Sequence, residues 1–136
     1  MLVGILAELL LSKYAPIQKY NSGILDYFGL LLILTGLALV LSSVKLFHTK
    51  KTQLAPHKEP EVLVDTGPFK FTRNPMYLGI TLILVGSAAI LGAISTLFVP
   101  ILLVVFTNQI YILMEEKHMA KQFGDAYIEY SQRVRR

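Results

Sequence analysis

The stretch Leu63–Gly79, LVDTGPFKFTRNPMYLG, is polar and basic at its start and runs without a gap into a segment that carries no charged residue as far as Met114. Its first half has the punctuation of a turn: Gly67 supplies unusual backbone angles, Pro68 fixes its own, and Asp65 or Thr66 can bond the backbone locally. Its second half, Arg73-Asn74-Pro75-Met76-Tyr77, reads as a helix start. Asn74 is the predicted cap, accepting an orphan backbone N–H, and Pro75 takes the first helical position, where its missing N–H is not needed. A loop is thus set against a helix N-terminus, whose N–H groups and dipole favour an anionic group such as a carboxylate. The same pattern also serves as a plain interfacial turn capping a transmembrane helix.

Composition places this helix in a membrane. Of 136 residues 54% are hydrophobic, and the mean hydropathy is +0.55, more than a soluble domain of one core requires. The 13 Lys and Arg against 9 Asp and Glu flank the apolar segments instead of forming a stripe, so anionic lipid headgroups fit better than nucleic acid, and no nucleic-acid partner is expected. With no cysteine, disulfides, thiolate metal sites and a thiol nucleophile are excluded. The N-terminus lacks a basic n-region and a small-residue cleavage site, so no removable signal peptide is expected there.

Working outward, the sequence divides into a single all-α membrane domain, 1–136, with about four transmembrane helices. Residues 1–23 form a short first helix and loop, apolar from Met1 to Leu11 except for Glu8, which is read as solvated where the helix end meets the interface. Residues 24–47 are the clearest span, with Gly29, Gly36 and Ser43 seven apart on one packing stripe. Residues 48–75 are a cytoplasmic linker. Its His48 and His57 lack close ligand spacing, and no metal is expected. Residues 76–114 form a helical hairpin turning near Gly92 to Ser95, with a second seam at Gly79, Gly86 and Ala93, and with Pro100 as a site for a kink. Residues 115–136 form an amphipathic tail: Gly124 ends a helix, Asp125 caps the next, and Phe123, Tyr127, Tyr130 and Val134 share a face, with Arg133, Arg135 and Arg136 at headgroup level.

Charge placement orients these elements. Lys45, Lys50, Lys51, Lys58, Lys70 and Arg73 flank one set of helix ends and Lys117, Lys121, Arg133, Arg135 and Arg136 follow the last, against only Lys13 and Lys19 in the loop after the first segment. The positive-inside bias puts both termini and the 45–75 linker in the cytoplasm, provided the first segment crosses. The Gly-Pro turn, the Asn-Pro-Met-Tyr helix start and the Glu115-Glu116 pair then share one face. A carboxylate pair beside aromatic rings can hold a cationic, hydroxyl-bearing cofactor, or be an ordinary charged helix end.

From Phe47 to Arg136 the chain resembles the isoprenylcysteine carboxyl methyltransferases and their bacterial and archaeal relatives, with phospholipid methyltransferases as more distant cousins. The resemblance rests on an ordered set: Thr52, Pro56, Leu63-Val64, Gly67-Pro68-Phe69, Arg73-Asn74-Pro75-Met76-Tyr77-Leu78-Gly79, Glu115-Glu116, and Phe123-Gly124-Asp125-Ala126-Tyr127 with Tyr130 and Arg133-Val134. It implies an integral enzyme of a prokaryotic cytoplasmic membrane that binds S-adenosylmethionine in a cytoplasm-facing pocket and methylates a lipophilic small molecule or lipid. By matching position Glu61, Val62, Leu63, Val64, Phe69, Asn74, Pro75, Met76 and Tyr77 would line the cofactor pocket, and Glu115 or Glu116 would hold it from the tail. The departures are an Asn at position 74 and a Glu at position 61 where the eukaryotic enzymes have His. Tyr111 also falls where those enzymes place the Arg that holds a substrate carboxylate.

Methyl transfer from a sulfonium needs positioning and exclusion of water more than covalent help. A carboxylate acceptor needs no base, whereas an ammonium or a thiol must lose a proton, and Tyr77 and His118 are candidates by chemistry only. Two other classes compete. A small multidrug-type proton-coupled transporter would use Glu8, and a non-catalytic scaffold would keep the fold without the reaction. The sequence assigns neither the acceptor, a catalytic residue nor the oligomeric state.

Overall fold

In an apolar medium a backbone meets its own hydrogen-bonding needs most simply as a helix, and the long apolar runs among the described residues are helical. The computed structural model describes residues 1–20, 22–50 and 62–136, and among these there is no strand. The order is α1 (Leu2–Tyr14), α2 (Gly23–Thr49), a 3-10 turn (Gly67–Lys70), α3 (Pro75–Leu91), a second 3-10 turn (Ile94–Leu97), α4 (Phe98–Phe106), a π-helical segment (Thr107–Ile112), α5 (Leu113–Phe123) and α6 (Asp125–Arg133). Two stretches are long and apolar enough to cross a membrane, Gly23–Thr49 and the continuous Ile94–Phe123. α3, with 17 residues, is apolar but shorter, and α1 has only 13.

The bundle is built on the antiparallel contact between α2 and α3, where the glycine stripes meet. A Cβ added at Gly36 would lie 2.5 Å from the carbonyl oxygen of Gly79, and one at Gly29 would lie 2.6 Å from that of Gly86. The two backbones therefore touch, as small-residue seams allow in lipid. Ser43 continues the stripe, fully buried, with its hydroxyl donating to Leu39 O at 2.7 Å. Ala93 does not belong to the second stripe: α3 stops at Gly92, which takes the left-handed conformation (φ 64°) that the turn requires.

α1 runs alongside α3 in the same direction, with Gly4 against the Leu84 side chain. The expectation of a solvated Glu8 is wrong. Glu8 is 0% exposed, and its carboxyl accepts from the Ser87 hydroxyl of α3. The short helix packs against α3, and of its two charged residues Glu8 faces inward while Lys13 is exposed. The loop after α1 is laced to the α3–α4 turn by Tyr20 N–H to Gly92 O at 2.8 Å and Ile94 N–H to Ile17 O at 3.0 Å.

Pro100 falls in the first turn of α4, just after the 3-10 turn. The irregularity comes later, in the π segment, which no residue in the sequence announces. Gly124 (φ 52°) separates α5 from α6 as expected, but Asp125 is the first helical residue of α6 and makes no side-chain cap.

Candidate functional site

The candidate site forms where the start of α3 meets α5 and the C-terminal segment. The loop before α3 is shaped by burying Val64 and Phe69, the latter packing edge-on against Phe47 of α2 with ring centroids 5.4 Å apart. From the other side the tail grips it: the Tyr130 hydroxyl donates to Phe69 O at 2.8 Å, and Arg73 N–H donates to Arg135 O at 2.8 Å. The linker and tail thus meet, as their shared charge pattern predicts.

The two neighbouring carboxylates of α5 have different partners. Glu115 Oε1 accepts from the Tyr77 hydroxyl at 2.9 Å, tying α5 to the first turn of α3. Glu116 lies between two arginines, with Arg73 Nη1 at 3.0 Å and Arg136 Nε donating at 2.9 Å, while Arg136 Nη2 takes its other oxygen. Both Glu116 oxygens are therefore engaged within the protein, and Glu115 keeps the freer carboxylate. Arg136 is the residue that sequence reasoning missed: the basic tail was expected at headgroup level, yet its last residue closes an ion-pair cluster. Burial, then the nearby Tyr127, pushes the Tyr130 phenol up to about 12, and burial likewise raises Tyr127.

Of the residues expected to line a cofactor pocket, Glu61 lies outside the described residues, as do the family marks Thr52 and Pro56. Val62 is exposed, Leu63 half-buried, Val64 and Phe69 buried, Pro75 buried, and Asn74, Met76 and Tyr77 half-buried. Asn74 does occupy the cap position of α3, but its side chain makes no capping bond. Its Nδ2, and Nε of the adjacent Arg73, are buried without a hydrogen-bond partner among the described residues. Two buried N–H donors left unmet within two residues of each other are costly unless a ligand completes them. Tyr77, in the first turn of the same helix, holds the Glu115 carboxylate, so the start of α3 offers donors for an anionic group and an acceptor for hydroxyl or amino groups. His118 is exposed on α5.

The sequence profile of the phospholipid methyltransferases matches residues 25–126, three quarters of the chain, and covers α2, the loop, α3 and α5. The chain belongs to the phospholipid methyltransferase family. This is the family of the isoprenylcysteine carboxyl methyltransferase-like proteins, and its members are membrane methyltransferases. No individual curated protein is significantly similar to this family member. The matched segment includes the Tyr77–Glu115 pair and the Arg73–Glu116 bridge, and stops short of Tyr127, Tyr130 and Arg136, which hold the tail in place.

Proposed function

We propose that this protein is an S-adenosylmethionine-dependent methyltransferase that acts on a lipophilic acceptor at the cytoplasmic membrane face, as one domain spanning residues 1–136. The observation that carries the reading is the pair of buried donors without a partner among the described residues, Arg73 Nε and Asn74 Nδ2, at a helix start whose Tyr77 holds the Glu115 carboxylate. These groups suit a molecule that bears a carboxylate together with amino and ribose hydroxyl groups. Asn74 and Arg73 would hold the carboxylate, Glu115 the hydroxyl or amino groups, and Val64, Phe69 and Met76 the apolar wall, with Val62, Leu63, Pro75 and Glu61 along the approach. When bound, the cofactor supplies a methyl group on a sulfonium. Tyr77 fixes the orientation of Glu115, Glu116 fixes the orientation of Arg73, and the buried side chains of Val64 and Phe69 keep water from their side of the region.

The acceptor is a carboxylate, an amine or a thiol on a lipid-soluble molecule. Of these a carboxylate is served least well, because Arg73 and Arg136 both pair with Glu116 and position 111 is Tyr. The test is binding and turnover by purified protein given labelled S-adenosylmethionine and a lipid extract. Wild type should bind the cofactor and label one lipid. Glu115→Gln should weaken binding by about 1.5–3 kcal/mol, the worth of a hydrogen bond to a charged group. Absence of cofactor binding by the wild type sinks the proposal.

A further inference from the structure

At the opposite end of α3 from Pro75, about 24 Å away by helical rise, a cleft of about 390 Å³ is lined by Lys19, Tyr20, Asp26, Ile90, Leu91 and Gly92. Its rim is built, not loose. Lys19 forms an antiparallel bridge with Ala93, and the flanking Tyr20 N–H bonds Gly92 O. The Tyr20 hydroxyl reaches back to Ala88 O at 3.4 Å. Lys19 is therefore held over the end of α3, while Asp26 comes from the first turn of α2. Both are exposed, they carry opposite charges into one cleft, and no ion pair joins them.

Two opposite charges that share a cleft without pairing match a molecule that carries both. The cleft also lies where the apolar runs of α2 and α3 end, the level at which a bilayer presents its headgroups. Below it, Ile90 (44% exposed) and the apolar run of α2 that follows Asp26 offer an apolar path along the helices. We infer that this cleft binds a zwitterionic glycerophospholipid, its phosphodiester on the Lys19 ammonium, its own ammonium on the Asp26 carboxylate, and its acyl chains along Ile90 and the apolar run of α2. This lipid is bound at the far end of the bundle from the candidate methyl-transfer site. The inference is independent of that activity.

Native mass spectrometry of the detergent-purified protein tests it, with phosphatidylcholine, phosphatidylglycerol and the chain-free headgroup glycerophosphocholine as separate probes. Phosphatidylcholine should be retained about two- to five-fold more than phosphatidylglycerol, the range that exposed charge pairs support. Asp26→Asn should abolish that preference, and Lys19→Gln should lower retention of both lipids. Tyr77→Phe, at the other end of α3, should change neither. Glycerophosphocholine should be retained weakly, since it lacks the chains that Ile90 and the apolar run of α2 receive. Equal retention of the two lipids by the wild type, retention of glycerophosphocholine as strong as that of the lipid, or unchanged retention in either Asp26→Asn or Lys19→Gln would overturn the assignment.

Discussion

A carboxyl group inside a membrane bundle is costly unless a polar partner meets it, and Glu8 has one in Ser87, whose hydroxyl also lies 3.0 Å from Leu84 O. Glu8→Gln keeps the size and a polar end that can bond Ser87, so thermal unfolding in detergent should show a change of at most about 1 kcal/mol. Glu8→Ala empties a fully buried position and should cost about 2–4 kcal/mol, as large-to-small core changes do. The Gln variant also separates function classes: a methyltransferase should retain cofactor affinity, whereas a proton-coupled transporter would lose proton-driven uptake of a lipophilic cation in vesicles. Tyr130 makes a second prediction at this scale. Its neutral phenol donates to Phe69 O, and its folded pKa of about 12 stands above the ordinary 10.0. The stability it contributes is therefore complete below pH 10, declines above it and is gone once the pH has passed about 12. Ultraviolet titration should resolve a phenol that ionises near pH 12 and is missing in Tyr130→Phe.

Helix contacts impose a sharper constraint than any one side chain. At Gly36 and Gly79 the backbones of α2 and α3 are too close for a Cβ, which would come within 2.5 to 2.7 Å of a carbonyl oxygen. Gly36→Val should separate the helices and cost about 1–3 kcal/mol or more, as overpacking does, whereas Gly23→Ala, where nothing lies within 4 Å, should be neutral. Comparing the thermal stabilities of the two variants checks this, and equal values would mean that the seam is not the contact that sets the fold. The seam was legible in the sequence because a seven-residue spacing of small residues maps onto one helix face. Tyr77–Glu115 and Arg136–Glu116 were not, because their partners lie 38 and 20 residues apart, and only the meeting of α5 with the start of α3 joins the first pair and only the packing of α6 on α5 the second. Glu8 was misread for a related reason: a helix of 13 residues shows too little periodicity to say which way a single charge points.

For the molecule as a whole, the ion-pair cluster and the charge pattern make the same demand. Arg73 precedes α3 and Glu116 and Arg136 follow α4, so the Arg73–Glu116–Arg136 cluster forms only if the loop before α3 and the C-terminal segment leave the membrane on one side. α2 and the Ile94–Phe123 helix, each long enough to cross, then run toward that same side, and Lys19 lies at the other. Of the 13 basic residues in the sequence, all but Lys13 and Lys19 lie from the last turns of α2 to the start of α3 or after α4, so the positive-inside bias predicts that the loop-and-tail side is cytoplasmic. Because the chain has no cysteine, single cysteines report position cleanly. In intact cells Lys19→Cys should react with a membrane-impermeant maleimide, while Lys58→Cys and Arg133→Cys should react only after the membrane is opened. Arg133 is chosen because its side chain is 62% exposed and stands outside the Glu116 cluster. Labelling of Lys58→Cys and Arg133→Cys from opposite faces would break the cluster as well as the orientation, since no arrangement with the linker and the tail on different sides lets Arg73 reach Glu116. Labelling of both from outside would keep the cluster and invert the molecule, placing the candidate site away from the cytoplasmic supply of S-adenosylmethionine and removing the proposed activity.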